Sequence, residues 1–332
     1  MKALVLVAKD QPFEIQDVPM PQNTVEERNP DKMGKEGYSI VKIKAAALNH
    51  RDVWIMKGQY GGIKYPSILG SDGAGIDEKG NEVIIHPSLS WGDNPNTQGK
   101  NFRILGLPDD GTFAEYIKIE TKNVVPKPEH LTFEQAAALP LAGLTAYRAL
   151  FSRCQVKARD KVLISGIGGG VALFALQFAL AAGCDVWVTS SSDEKIQKAI
   201  AMGAKGGFKY NTEGWSKTAI GEMGGFDVIV DGAVGTGFAE LVKTCRPAAR
   251  ICFYGATAGA LTGVSPQVIF YKQLSIFGST MGNDAEFLKM VKFVSKYKIV
   301  PIIDSVYTLE NGNAALKHMD EGQQFGKIVL TI

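Results

Sequence analysis

The chain has 332 residues, 45% of them hydrophobic and 21% charged, and its 36 Lys plus Arg against 34 Asp plus Glu leave a net charge of +2. This excludes a disordered chain and gives no electrostatic case for nucleic acid or an anionic membrane as partner; at about 150 residues per domain the length predicts two domains. No apolar run approaches the ~20 residues of a bilayer span, and MKALVLVAKDQ lacks the longer apolar stretch and cleavage site of a signal peptide.

The first 128 residues read as β-rich. Met1–Val7 alternates weakly and Phe13–Val18 alternates well, stopping at Pro19 and Pro21. Gln22–Gly37 is polar and charged, with Pro30 and Gly34, and predicts a surface loop. Tyr38–Ala45 is a predicted strand and Asn49–Met56 one or two helical turns. Gly58–Gly75, rich in Gly and Pro, is expected to be mostly loop. Glu82–His86 and Phe113–Ile119 are further strands, separated by the polar, irregular Pro87–Gly111. A connection that long is usually functional or mobile.

Near residue 130 the pattern changes. Thr132-Phe-Glu-Gln135 is a capping box opening a helical stretch to about Phe151, broken at Pro140. Strands Lys161–Ser165, Asp185–Ser190, Phe226–Val230, Arg250–Tyr254 and Gln273–Phe277 then alternate with helices Gly170–Ala182, Asp193–Met202 and Phe238–Cys245. Such alternation predicts parallel βαβ units. The tail is mixed: helix Asp284–Tyr297, extended Asp304–Leu309, helix Asn311–Met319 and a closing strand Lys327–Ile332. The chain reads as α/β, with a β-rich domain over 1–128 and 276–332 wrapped around an inserted α/β domain over 129–275. The four cysteines, Cys154, Cys184, Cys245 and Cys252, match no zinc spacing and no disulfide framework, so a reducing, cytoplasmic compartment is expected.

The sharpest local signal is Lys161-Val-Leu-Ile-Ser-Gly166-Ile-Gly168-Gly169-Gly170-Val171-Ala172, a buried strand running into glycines and then an apolar helix. Backbone N–H groups at such a helix start, with the helix dipole, hold a pyrophosphate, and glycines allow its close approach. The strict G-x-G-x-x-G spacing fails at Val171, whereas G-x-x-G-x-x-A over Gly166, Gly169 and Ala172 fits. Gly168, Gly169, Gly170 and Val171 are the expected dinucleotide contacts; the competing reading is a glycine loop with no ligand. After the next strand comes Thr189-Ser190-Ser191-Ser192-Asp193-Glu194-Lys195. The hydroxyls of Ser190 and Ser191 and the charge of Lys195 suit a 2′-phosphate, hence NADPH. Asp193 and Glu194, the alternative NAD-type acids, read as charges at a helix N-terminus.

The segments KAAALNHRDVWIMKGQY, YPSILGSDGAGI, DGTFAEY, AALPLAGLTAYRAL, VLISGIGGGVA and the terminal FGKIVL together resemble the medium-chain dehydrogenase/reductase superfamily and, within it, the zinc-independent quinone oxidoreductase-like branch. The resemblance spans nearly the whole chain. It implies a GroES-like β-rich catalytic domain and a Rossmann doubly wound cofactor domain. Zinc alcohol dehydrogenases of the superfamily carry a catalytic Cys at the position of Asn49 and a His-Glu pair at Ser71-Asp72. Their structural zinc lobe falls where Pro87–Gly111 has no Cys. The resemblance therefore implies no metal; His50, Asp72 and His86 are what an atypical zinc site would draw on.

The same resemblance puts Asn49 beside the nicotinamide, Tyr60 on the substrate pocket and Thr145 on the cofactor. It makes Lys195 and Tyr210 the grip on a 2′-phosphate. It sets the loops Asp231–Val234, Tyr254–Thr257 and Phe277–Thr280, and so Ala233, Tyr254, Gly255, Ala256 and Ser279, around the nicotinamide, and Lys327 near the cleft. Asp52 reads as a structural ion-pair partner. Two departures stand out: Gln22–Gly37 is longer than usual, and Pro87–Gly111, with Trp91, Phe102 and Arg103, is expected to shape the substrate mouth. The implied activity is zinc-independent, NADPH-dependent hydride transfer to a quinone or to the conjugated C=C of an enone or enal. The alternatives are a zinc alcohol dehydrogenase with atypical ligands and a non-catalytic NADPH-binding sensor. Relatives of this type pair as homodimers, for which Gln273–Phe277 is the candidate edge strand.

Overall fold

The computed structural model describes residues 1–23 and 37–332, so the predicted loop Gln22–Gly37 lies almost wholly outside the described residues. The chain forms two compact units, Met1–Leu144 with Gly282–Ile332, and Thr145–Met281. Among the described residues no helix is long and apolar enough to cross a membrane.

The first unit is built mainly from antiparallel strands. One sheet runs Val124–Pro126, Glu82–Ile85, Asp72–Asp77, Tyr38–Ala47, Lys327–Thr331, Ile303–Thr308, and Tyr116–Glu120 also pairs with Tyr38–Ala47. Lys2–Leu6 lies between Glu14–Asp17 and Ser67–Ile68 in a smaller sheet. Leu4, Leu6, Leu48, Ile55, Phe113 and Leu330 form the core of this unit. Ile303–Thr308 and Lys327–Thr331 are parallel, which requires the Gly312–Glu321 helix as their crossover.

Gly58–Gly75 is mostly loop, as expected, but strands begin within it at Ser67 and Asp72. The glycines that suggested a loop serve close packing. A Cβ on Gly73 would lie 2.7 Å from the Thr112 side chain, and one on Gly75 would run into the Lys42 carbonyl of the paired strand. The helical stretch is broken at Pro140 as expected: one helix, Phe133–Ala137, ends before it, and Pro140 opens the next, Pro140–Tyr147, where its missing N–H is of no consequence. The capping box holds: Thr132 Oγ1 accepts from the Gln135 N–H at 3.3 Å and Gln135 Oε1 from the Thr132 N–H at 3.0 Å.

The second unit is one sheet of six parallel strands in the order Gly206–Lys209, Asp185–Ser190, Lys161–Ile164, Phe226–Asp231, Cys245–Phe253, Ser275–Gly278. Numbered within the unit this is 3-2-1-4-5-6, the doubly wound dinucleotide-binding order. Leu163, Trp187, Phe226, Ile229 and Ile251 pack its interior. Gly206–Lys209 escapes sequence reading because two of its four residues are glycine. Gly207 is needed there: a Cβ would lie 2.7 Å from Ile196 of the covering helix and 2.9 Å from Val188. The helices Trp215–Met223 and Pro266–Tyr271 are likewise additions to the predicted elements.

Candidate functional site

Three strand ends of the first unit converge on a buried charge cluster. Asn49 follows Tyr38–Ala47 and is the N-cap of the His50–Met56 helix. Asp72 is registered opposite Ala47, and Lys327 opens the strand whose Val329 pairs with Ala47 from the other side. The Lys327 ammonium donates to Leu48 O at 2.6 Å, Asn49 Oδ1 at 2.7 Å and Asp72 Oδ2 at 3.1 Å. Asn49 Nδ2 donates to the same Asp72 oxygen at 2.9 Å. The other Asp72 oxygen accepts the Leu141 N–H at 2.7 Å. Lys327 and Asp72 are both buried, so each depends on the other to offset its desolvation. Asn49 Nδ2 makes no second hydrogen bond among the described residues.

Asp52, fully buried, accepts the Asn49 backbone N–H on Oδ2 at 2.8 Å, while its Oδ1 has no partner. It forms no ion pair within the described residues, contrary to the structural pair expected of it; it caps the helix instead. Burial pushes its carboxyl up to about 6, against the pull of Arg51, the Asn49 N–H and Lys327. His50, exposed at the helix start, is held below the usual imidazole range by the protein packed about it and then by Lys327.

Arg51 was not singled out by sequence, yet it links the cluster to Tyr60. Its guanidinium donates to Ser71 Oγ at 2.6 Å and Leu105 O at 2.7 Å, and lies 5.2 Å from the Tyr60 ring centroid. Tyr60 is half-buried against the core of the unit, and its hydroxyl makes no hydrogen bond within the described residues.

In the second unit the glycine turn lies at the carboxyl end of Lys161–Ile164, between that strand's two neighbours, where the strand order reverses. Gly168 has φ 134°, which only glycine adopts readily, and Gly166 has φ 66°. Gly169 is the N-cap of the Gly170–Ala181 helix and brings no side-chain acceptor, so the first helical N–H groups, from Gly170 and Val171 onward, stay available. A Cβ on Gly166 or Gly169 would meet nothing within 4 Å, so the turn borders open space at both glycines. These residues fit a dinucleotide.

At the end of the neighbouring strand, Ser190 is buried and Ser191 exposed, with Ser190 Oγ accepting the Ser192 N–H at 3.1 Å. Ser192 caps the Asp193–Ala201 helix, placing Lys195 in its first turn. Tyr210 is 50% exposed and its N–H bonds Ser190 O at 3.2 Å. Lys209, registered opposite Ser190, is an addition that sequence missed; its Nζ pairs with Asp193 at 2.8 Å. Glu194 pairs with Lys198 at 2.7 Å, so both acids are engaged as surface helix charges.

Thr145 is buried in the Pro140–Tyr147 helix. The loops bearing Ala233, then Tyr254, Gly255 and Ala256, then Ser279 follow three adjacent strands whose last residues Asp231, Phe253 and Gly278 stand in register. Asp231 accepts from the Ala233 N–H at 3.2 Å and the Val234 N–H at 2.8 Å. The Tyr254 ring lies against Gly232, where a Cβ would come 2.6 Å from its oxygen, and burial holds its phenol well above the usual range.

A catalytic zinc requires three or more N, S or carboxylate ligands, and the residues of the first unit do not fit one. Asn49 offers an amide. Ser71 Oγ is held between Arg51 and Leu105 O. Both Asp72 oxygens are occupied, and the Lys327 cation already sits at the oxygens a metal would use. His86 is buried, stacked on Phe287 at 4.3 Å and bonded to Asp284 at 3.1 Å. Among the described residues no three His, Cys, Asp or Glu side chains form a metal-holding group.

Two family profiles match the chain: "Alcohol dehydrogenase GroES-like domain" over residues 35–129 and "Zinc-binding dehydrogenase" over residues 170–296. The chain is 34% identical over 323 residues to the zinc-type alcohol dehydrogenase-like protein YogA of Leptosphaeria maculans, covering 88% of this chain and 90% of that protein. It is 28% identical to a crotonyl-CoA reductase of Streptomyces avermitilis, covering 88% of this chain and 78% of that protein. A crystal structure of an NAD-dependent alcohol dehydrogenase superposes over 100% of both chains with a TM-score of 0.91 at 33% identity.

Proposed function

This chain belongs to the medium-chain dehydrogenase/reductase superfamily, and from that premise we propose that it is a zinc-independent, NADPH-dependent reductase of conjugated acceptors, either quinones or the C=C of α,β-unsaturated carbonyl compounds. Bound NADPH supplies the hydride. The N–H groups at the start of the Gly170–Ala181 helix hold the diphosphate. Ser190, Ser191, Lys195 and Tyr210 take the 2′-phosphate, with Lys209 as a further cation. The loops bearing Ala233, Tyr254, Gly255, Ala256 and Ser279 shape the nicotinamide end, with Thr145. Asn49 donates its outward amide N–H to the acceptor oxygen, and Tyr60 lines the acceptor's pocket.

The observation that carries this reading is the Lys327–Asn49–Asp72 cluster. It provides a hydrogen-bond donor where the residues do not fit a Lewis acid. One donor stabilises a developing oxyanion modestly, and conjugated acceptors, which spread the charge, need the least help. The crotonyl-CoA reductase likeness supports an alkene acceptor.

Two further features bear on the setting. Ser275–Gly278 is a sheet edge with Phe270 68% and Tyr271 85% exposed in the helix before it, which supports a homodimer. All four cysteines are free and buried, which supports a reducing, cytoplasmic location.

The test is cofactor oxidation by chelator-treated protein offered a quinone, an enone, an alkenal and a simple aldehyde, with NADPH or NADH. The expected result is turnover of the conjugated acceptors with NADPH and little with the aldehyde. Silence with every conjugated acceptor would sink the proposal. The likeness to an NAD-dependent alcohol dehydrogenase favours a second reading, alcohol oxidation, which predicts aldehyde turnover with NADH.

A further inference from the structure

An amide has two chemically different ends, and in the first unit each end of Asn49 meets an ion of fixed hydrogen-bonding character. An ammonium only donates and an ionised carboxylate only accepts. Lys327 at 2.7 Å therefore requires the Asn49 oxygen on its side, and Asp72 at 2.9 Å requires the nitrogen on the other. The Lys327–Asp72 contact of 3.1 Å closes the triangle. Lys327 also donates to Leu48 O, one residue before Asn49, so the same cation holds the Asn49 amide and the backbone leading into it. Asp52 adds the last restraint by accepting the Asn49 backbone N–H.

We propose that Lys327 is a positioning residue: paired with Asp72, its ammonium is the fixed cation of this site and locks the Asn49 amide in the one orientation that leaves an N–H, never the carbonyl, to face the acceptor. This rests on the reading that Asn49 meets the acceptor. A buried ion pair is not in itself a strong stabiliser, since an apolar pair of like volume is often as good. An apolar pair cannot distinguish the two ends of an amide. Without the ions, Asn49 is free to turn its carbonyl outward, where it repels the developing negative charge.

The decisive variant is the double replacement Asp72→Asn with Lys327→Met, which leaves no buried unpaired charge. It is compared with Asn49→Ala and with the triple variant. In the wild type, nitrogen-15 NMR should show the Asn49 side-chain amide, assigned by its loss in Asn49→Ala, with one proton shifted away from the free-amide position by its bond to the Asp72 carboxylate and slow to exchange with water. In the double variant that proton should return to the free-amide position and exchange rapidly. With the best conjugated acceptor, kcat should fall about 10–100-fold in the double variant while the KM for NADPH stays within about twofold. The triple variant should be no slower than Asn49→Ala, because both changes remove one function.

A folded double variant with kcat near that of the wild type, or effects that multiply in the triple variant, would overturn the role of Lys327. So would free-amide shifts and rapid water exchange for the Asn49 side-chain protons in the wild type, a measurement that needs only the single Asn49→Ala variant for assignment. If the wild type reduces no conjugated acceptor, the proposed reaction fails, yet the NMR comparison still decides whether Lys327 locks the amide.

Discussion

The two units hold their chemistry in opposite ways. In the second unit the cradle is made of backbone: the helix start from Gly170 and Val171 presents N–H groups, and side chains in the glycine turn before it matter chiefly by being absent. In the first unit the site is made of side chains from Asn49, Asp52, Ser71, Asp72 and Lys327, two of which are ions that offset each other's burial. A backbone site is sensitive to added atoms and indifferent to most charges. A buried charge cluster is sensitive to any loss of a partner.

The contrast is broken most sharply by Lys327→Met alone. It strands the Asp72 carboxylate in the core, and breaking a buried pair costs roughly 3–5 kcal/mol. Thermal unfolding should shift down by about 10 °C, with most of that recovered when Asp72→Asn is added. Unchanged melting would mean that the pair is not buried as described.

Gly168→Ala should leave the fold intact and damage binding. A Cβ at φ 134° costs on the order of 1–3 kcal/mol, relieved by reshaping the turn. The NADPH dissociation constant, read by fluorescence titration, should rise at least about tenfold. An unaltered affinity would remove the glycine turn from the cofactor site.

The smallest effect belongs to Asp52. Its carboxyl, pushed up to about 6, binds a proton more tightly in the folded chain than in the unfolded one. Between the ordinary carboxylate range and pH 6 the folded state therefore holds more protons, and stability falls as pH rises through that window. Asp52→Asn should abolish this component and leave the variant more stable than wild type at pH 8. Its carbonyl can still accept the Asn49 N–H. Parallel pH–stability curves for the two proteins, measured by urea unfolding, would contradict the burial of an ionised Asp52.

What could be read from the chain follows the same divide. Features set by neighbours in sequence were legible: the Thr132–Gln135 capping box, the helix Asp284–Tyr297, the strand–glycine–helix turn, and the alternation that builds a parallel sheet. Features set by close approach were not. Gly73, Gly75 and Gly207 look like loop residues and lie in strands, because packing there leaves no room for a side chain. Lys209 carried no local signal; only the register opposite Ser190 brings it to that strand end.

By itself the sequence determined the two-part architecture and the strand–glycine–helix turn, since both rest on hydrophobic periodicity and on glycine's lack of a Cβ, which act over a few residues. Only the tertiary structure decided what Asn49 can do. Lys327 lies 278 residues further along the chain, and no local pattern reveals that its ammonium ends among the oxygens of Leu48, Asn49 and Asp72. The sheet register carries it there, and low-dielectric burial gives that one contact its force.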